Sequence, residues 1–113
     1  MSLPTEGRLL RIFVGESDRW EGRPLYEAIV LEARKRGLAG ATVTKGVMGF
    51  GAHSRIHTAK LLELSQDLPM VIEIVDAPDK IDAFMPDLEQ MVGDGLMTVE
   101  RAEVRLYRSR GSD

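Results

Sequence analysis

Two residue types that often carry structure or chemistry are missing from this sequence of 113 residues, which contains neither cysteine nor asparagine. The lack of cysteine excludes disulfide bonds, thiolate zinc sites and thiol catalysis, and it removes any argument for an oxidising compartment. The lack of asparagine excludes catalysis of the acylphosphatase type, in which an asparagine holds the water. No apolar run approaches the roughly 20 residues that span a bilayer, and residues 1–7 lack the apolar stretch of a signal peptide. We therefore expect a cytoplasmic protein without direct membrane insertion.

Charge and aromatic content argue against a nucleic-acid partner. The net charge is −3 and aromatic residues make up 5% of the chain, so no overall attraction to phosphate backbones is expected. The apolar segment 69–75 has no aromatic side chain on which a base could stack. No elbow-type motif surrounds Ser17, Ser54 or Ser65, so nucleophilic catalysis is not indicated. We expect a protein that is not an enzyme.

The length suits one globular domain, which we place at residues 8–108, between a flexible N-terminus (1–7) and a flexible C-terminal tail (109–113). Strand and helix periods alternate along it. They predict a strand at Arg8–Val14, a polar loop at Gly15–Gly22, a helix from Pro24 that Gly37 ends, strands at Ala41–Met48 and Pro69–Val75, a helix at Pro78–Val92, and a last extended stretch at Leu96–Tyr107. Pro86 predicts a kink in the second helix or a later start of that helix.

This order of elements, βαββαβ, is that of an α+β, ferredoxin-like sandwich with a four-stranded antiparallel sheet and two helices on one face. No element of the chain is left to cover the other face of the sheet. Both sides of the first and third predicted strands are nevertheless mainly apolar, whereas a side facing solvent should be polar. Either the long loop at Gly51–Leu68 folds over that face or another subunit covers it, and we expect the subunit, because an exposed apolar face usually marks an interface.

A glycine-rich motif that includes the second predicted strand points to a known superfamily. Residues 40–51 (GATVTKGVMGFG) resemble the second-strand signature of the PII nitrogen-regulatory proteins, which runs into their ligand-responsive T-loop. The chain resembles more narrowly a PII-like family catalogued as a domain of unknown function, through Gly15-Glu16, Arg55-Ile56-His57, Leu64-Ser65, Asp67-Leu68-Pro69 and Glu73-Ile74-Val75-Asp76. The resemblance covers Leu9 to Arg108. It implies a homotrimer with ligand-binding clefts between subunits.

The resemblance also implies a site for a small effector, an adenine nucleotide or another anion. Glycines let backbone N–H groups approach an anion, and arginine offers a planar fork of donors to phosphate. The same glycines would also serve a turn or a helix C-cap alone, and the arginines a solvated strand edge. Leu96 stands where PII proteins have a phosphate-contacting lysine, which weakens the match there. The candidate ligand-binding residues are Gly49, Phe50, Gly51, Arg55, Gly93, Asp94, Gly95, Arg105 and Arg108.

The segment Gly51–Leu68 is the predicted signalling loop. Connections longer than about 12 to 15 residues in a compact domain tend to be functional or disordered. The resemblance implies that a protein target, a membrane transporter or an enzyme, contacts this loop and that ligand changes its order. The loop has no tyrosine, so the uridylylation known in PII proteins is not expected.

Two other functions remain open. His53 and His57 are four residues apart, so on a helix they would share one face and form half of a divalent-metal site. The alternative is therefore a metal-binding trimer related in architecture to metal-tolerance proteins. Two histidines in a polar loop are more often simply solvated, and a structural subunit without a ligand is the third possibility.

Overall fold

The computed structural model describes residues 3–50 and 67–110. In these residues the chain forms two helices and six strands: β1 (Glu6–Gly15), β2 (Arg19–Trp20), β3 (Arg23–Pro24), α1 (Leu25–Lys35), β4 (Thr42–Lys45), β5 (Pro69–Asp76), α2 (Pro78–Met91) and β6 (Leu96–Glu103). Four strands form one antiparallel sheet in the order β4-β5-β1-β6. The predicted α+β, ferredoxin-like fold is confirmed. No helix within the described residues is long and apolar enough to cross a membrane.

The hydrophobic core lies between the helices and one face of the sheet. Alternate residues of the two central strands point into it, as the period of two in a strand requires. Both helices contribute a stripe of apolar residues with helical spacing. The buried residues are Leu10, Ile12, Val14, Met70, Ile72 and Ile74 from the sheet, and Leu25, Ala28, Ile29, Ala33, Ile81, Phe84, Leu88 and Met91 from the helices.

Helix α1 ends as its sequence predicts. Gly37 has φ 77°, the left-handed conformation that glycine adopts without steric cost. Its N–H donates to the carbonyl of Arg34 at 3.0 Å, and the N–H of Leu38 donates to the carbonyl of Ala33 at 3.1 Å. These two bonds form a Schellman motif, so the predicted glycine cap is confirmed.

Helix α2 runs as one element from Pro78 to Met91, with Pro86 inside it. The later start that Pro86 allowed is therefore wrong. Pro86 lacks the N–H that would bond to the carbonyl four residues earlier, at Asp82. Both residues are exposed, so water can solvate that carbonyl, and the rest of the helix packs through its opposite face.

The predicted loop at Gly15–Gly22 is partly wrong, because it contains the first strand of a small hairpin. Arg19 pairs with Pro24 and Trp20 pairs with Arg23. The two loop residues, Glu21 (φ 47°) and Gly22 (φ 86°), both have positive φ, which is the requirement of a type I′ turn. The hairpin places the single tryptophan beside α1.

Two strands are shorter than predicted because their partners end. The last strand stops at Glu103, which pairs with Glu6 at the start of β1, and only one further bond follows, from the N–H of Val104 to the carbonyl of Thr5 at 2.7 Å. The extension to Tyr107 is therefore wrong. The second major strand, predicted to reach Met48, stops at Lys45 because its neighbour β5 begins at Pro69.

Asp76 is the one buried polar or charged residue among the described residues, with 2% of its surface exposed. One carboxylate oxygen accepts a bond from the N–H of Ala39 at 2.8 Å, and the other accepts from the N–H of Ala77 at 2.6 Å. The side chain therefore joins the loop after α1 to the start of α2.

Replacing Asp76 with alanine is expected to lower the free energy of unfolding by about 1–3 kcal/mol, because the partly buried N–H groups of Ala39 and Ala77 lose a charged acceptor. Urea denaturation followed by Trp20 fluorescence would measure the change. Asp82→Ala is the matched control, since Asp82 is exposed on α2. Equal stability of the two variants would contradict the role assigned to Asp76.

Candidate functional site

Four strand ends lie together at one end of the sheet, which we call the Lys45 end. The antiparallel register places there the last residues of two strands and the first residues of the other two. They are Gly15 of β1, Lys45 of β4, Pro69 of β5 and Leu96 of β6. The glycine-rich motif and the Gly93–Gly95 turn leave the sheet at this end, so the fold brings two of the predicted ligand-binding segments to the same end of the molecule.

The chain after β4 folds against Pro69. The N–H of Gly46 donates to the carbonyl of Pro69 at 2.7 Å. A Cβ atom at Gly46 would lie 2.6 Å from the Pro69 Cγ atom, and one at Gly49 would lie 3.1 Å from the same atom. Gly46 therefore lets the backbone approach the proline ring more closely than a side chain would allow, and at Gly49 a Cβ atom would make a tight contact with the same ring.

Lys45 brings a positive charge to this turn. Its ammonium lies 2.7 Å from the carboxylate of Glu16, and both side chains are partly exposed, at 50% and 37%. Neither residue was among the predicted ligand-binding residues. The sequence signal for Lys45 is its position in the glycine-rich motif directly before Gly46, where the strand ends. An anion at this turn would compete with Glu16 for the charge of Lys45.

A network of backbone bonds fixes the loop that carries Glu16. The N–H of Glu16 donates to the carbonyl of Leu68 at 2.8 Å, and the N–H of Ser17 donates to the carboxylate of Asp67 at 2.8 Å. The N–H of Gly15 donates to the carboxylate of Asp18 at 2.9 Å. These bonds hold the end of β1 against Asp67 and Leu68, the two residues directly before β5.

Three apolar side chains of the turn are exposed. Val47 is 92% exposed, Met48 69% and Phe50 61%. Apolar groups that cluster on a surface commonly mark a place where a ligand or another protein makes contact. Phe50, a predicted ligand-binding residue, is one of them.

The Gly93–Gly95 turn differs from its predicted form. The residue that caps α2 is Val92, with φ −93° and ψ 108°, and neither glycine of the turn has a positive φ. The turn therefore ends the helix, as the sequence predicts, without a glycine in the left-handed conformation. Gly95 is required for a different reason: a Cβ atom there would lie 2.6 Å from the carbonyl oxygen of Phe13 and 2.9 Å from Val92.

Within one subunit, the two glycine segments lie at opposite edges of the sheet. The Gly46–Phe50 turn follows edge strand β4 and the Gly93–Gly95 turn precedes edge strand β6, with β5 and β1 between them. Three strand spacings of about 4.8 Å separate the two edges by roughly 14 Å.

Arg105 and Arg108 lie at the other end of the molecule. They follow the last residue of β6, and this strand of eight residues extends roughly 23 Å at about 3.3 Å per residue. Tyr107, between them, donates a bond from its hydroxyl to the carbonyl of Ala39 at 2.8 Å, beyond the far end of β5. A small ligand at the Gly93–Gly95 turn would therefore be out of reach of Arg105 of the same chain.

The remaining predicted residues, Gly51, Arg55, His53 and His57, lie outside the described residues. In residues 3–50 and 67–110, no group of three or more histidine, aspartate or glutamate side chains could hold a metal ion. The metal site at His53 and His57 stays a prediction.

A groove of about 410 Å³ lies between the hairpin and the two helices, lined by Trp20, Leu31, Met91 and several charged residues. Arg36 spans its rim through ion pairs with Glu32 at 3.0 Å and Asp87 at 2.5 Å. None of the predicted ligand-binding residues lines this groove. It is a separate feature on the helix side of the sheet and forms no part of the Lys45 end.

The arrangement of strands and helices is that of PII-like proteins. A Thermus thermophilus protein described as a PII-like signaling protein matches with a TM-score of 0.61 and 16% identity. The match covers 88% of this chain and 90% of that protein's chain. CPII of Thiomonas intermedia K12, solved bound to ADP, AMP and acetate, matches with a TM-score of 0.57 and 16% identity, over 88% of each chain. These similarities show the fold.

The particular family follows from the sequence. Residues 7–104 match DUF190, a family described as "Uncharacterized ACR". A UPF0166 protein of Aquifex aeolicus is 42% identical over 99 residues, which are 86% of this chain and 91% of that protein. The chain belongs to the DUF190 family, and the resemblance to a PII-like family of unknown function is confirmed.

Proposed function

We propose that this chain is a PII-like regulatory protein that binds an adenine nucleotide or another small anion in clefts between the subunits of a homotrimer. Residues 51–68 would carry the signal to a protein partner, a membrane transporter or an enzyme. The observation that carries the proposal is the Lys45 end, where a glycine turn packed on Pro69 stands beside a lysine at the base of that segment.

The chemistry of the turn supports an anionic ligand. Lys45 supplies three N–H donors on a positive charge, and backbone close to glycine is accessible to phosphate oxygens. Glu16 already pairs with Lys45, at 2.7 Å. An anion that binds the ammonium of Lys45 would therefore displace the carboxylate of Glu16. The backbone N–H of Glu16 bonds to the carbonyl of Leu68, at the end of the 51–68 segment. This connects ligand binding to the segment that would signal.

The positions of the two turns support clefts between subunits. They lie roughly 14 Å apart across the sheet at about 4.8 Å per strand, so the Gly46–Phe50 turn of one subunit would meet the Gly93–Gly95 turn of a neighbour. CPII, which has the same fold, was solved with ADP and AMP. Arg105 and Arg108 are distant from the two turns of their own chain. They would contribute to a ligand site only where the far end of another subunit reaches these turns.

A titration with ADP tests the proposal. At a hundred times its dissociation constant, ADP is expected to stabilise the protein by about 2.7 kcal/mol, which raises the melting temperature of a small domain by several degrees. Adenosine, which lacks the phosphates, is the control and should produce a much smaller shift. Mass measured in solution should be that of three chains. A monomer that neither ADP nor AMP stabilises would contradict the proposal.

A further inference from the structure

The hairpin of β2 and β3 is a small unit that is attached to the rest of the fold at few points. We call residues Arg19–Pro24 the Trp20 hairpin. Among the described strands, its two strands pair only with each other. A two-stranded hairpin without further support is at best marginally stable in water. Its position therefore depends on the packing of Trp20 against the core and on the loop that leads into it.

This loop begins at the Lys45 end and is tied to both ends of the hairpin. Its residue Glu16 forms the ion pair with Lys45 at 2.7 Å. The carboxylate of Asp18 accepts a bond from the N–H of Gly15 at 2.9 Å, and its carbonyl accepts from the N–H of Leu25 at 2.7 Å. Because Asp18 precedes the hairpin and Leu25 follows it, these bonds link the whole hairpin to the residues around Glu16.

The same loop also holds the end of the 51–68 segment. The backbone N–H groups of Glu16 and Ser17 donate to Leu68 and Asp67, the last two residues of that segment. Three parts of the molecule therefore meet at four consecutive residues: the cation of the Lys45 end, the 51–68 segment and the Trp20 hairpin.

An anion at Lys45 would favour an arrangement in which this loop is released. While Glu16 pairs with Lys45, the ammonium has a partner 2.7 Å away that the anion must displace. A ligand shifts a conformational equilibrium by the difference between its affinities for the two states. Here that difference is the availability of Lys45, so the bound anion favours the state in which Glu16 has left the lysine.

We propose that the Trp20 hairpin is a conformational switch, packed beside the helices while Glu16 pairs with Lys45 and detached when an anion takes the place of Glu16. This inference rests on the proposed function and adds a second response to the ligand. Trp20 and Arg23 form one wall of the groove of about 410 Å³, and Leu31 and Met91 on the helices form another. Ligand binding would therefore change the shape of a surface on the helix side of the sheet.

Trp20 reports the position of the hairpin directly, because it is the single tryptophan of the chain. Titration of the full chain with ADP is expected to shift its emission to longer wavelength and to make it more accessible to acrylamide. The midpoint should equal the one that isothermal titration calorimetry gives for ADP binding. Adenosine, which lacks the phosphates, should leave the emission unchanged. Binding of ADP without any change at Trp20 would overturn the inference.

A substitution in the hairpin should in turn change ADP affinity, because coupling between two sites is reciprocal. Gly22 has φ 86° and lies at the tip of the hairpin, with nothing within 4 Å of an added Cβ atom. Alanine there strains the backbone of the packed hairpin, and detachment relieves the strain. Gly22→Ala is therefore expected to bind ADP about three- to tenfold more tightly than the wild type.

Gly37→Ala is the matched control, since Gly37 has φ 77° and ends α1, away from the hairpin. It introduces the same kind of strain and should leave ADP affinity unchanged. Wild-type affinity in Gly22→Ala, or equal tightening in both variants, would overturn the inference while leaving ADP binding itself intact. Circular dichroism shows whether each variant is folded, and the wild-type titration decides the question if Gly22→Ala does not fold. A wild-type protein that binds no ADP in the calorimeter would instead overturn the proposed function.

Discussion

Replacing Gly95 with alanine is expected to lower the free energy of unfolding by about 1–3 kcal/mol, the cost of forcing an extra methyl group into a packed site. The new Cβ atom would lie 2.6 Å from the carbonyl oxygen of Phe13. That oxygen belongs to β1, which is held by β5 on one side and β6 on the other, so it cannot yield without disturbing the sheet. Urea denaturation followed by Trp20 fluorescence measures the change.

The same turn offers a matched control. Gly93 also has a negative φ, and a Cβ atom there would meet nothing within 4 Å. Gly93→Ala should therefore leave the stability unchanged, or raise it by at most about 1 kcal/mol by restricting the unfolded chain. Equal losses at the two positions would show that the turn needs glycine for its backbone conformation and not for its approach to β1.

Local signals in the sequence were enough for much of the fold. The apolar stripe of α1 and the cations before Gly37 predict both the helix and its cap, since a Schellman motif depends only on neighbouring residues. The strands β1 and β5 are visible as alternating apolar residues, because their inner faces form the core. The glycine motif at residues 40–51 predicted the superfamily because its length and its flanking strand both match.

Features that depend on register could not be predicted in this way. Arg11 pairs with Glu73 on one neighbouring strand and with Thr98 on the other, although 62 residues separate Arg11 from Glu73 along the chain. The end of β6 was predicted too late because Arg105 and Tyr107 are compatible with a strand, and only the start of β1 at Glu6 shows that no partner remains for them. The length of β6, which lies between the Gly93–Gly95 turn and Arg105, sets the distance between them.

The ion pair between Lys45 and Glu16 yields the second large prediction, because its two members should affect anion binding in opposite directions. Lys45→Gln is expected to weaken ADP binding about ten- to a hundredfold, the worth of a hydrogen bond from a charged donor. Glu16→Gln frees Lys45 from its competitor, so ADP should bind about two- to fivefold more tightly, the worth of a partly exposed ion pair. Isothermal titration calorimetry measures both.

Opposite signs separate this role from a structural one. Both variants break the same 2.7 Å contact, so they should change the free energy of unfolding by similar small amounts, and a purely structural pair would alter ADP binding in the same direction. Lys80→Gln is the control for loss of one positive charge, since Lys80 lies on α2 and bonds to the carbonyl of Gly37, away from the Lys45 end. Weaker binding in both Lys45→Gln and Glu16→Gln would mean that the ion pair shapes the turn and that the anion finds its charge elsewhere. Opposite shifts would identify Lys45 as the ligand's contact and Glu16 as the group that the ligand displaces.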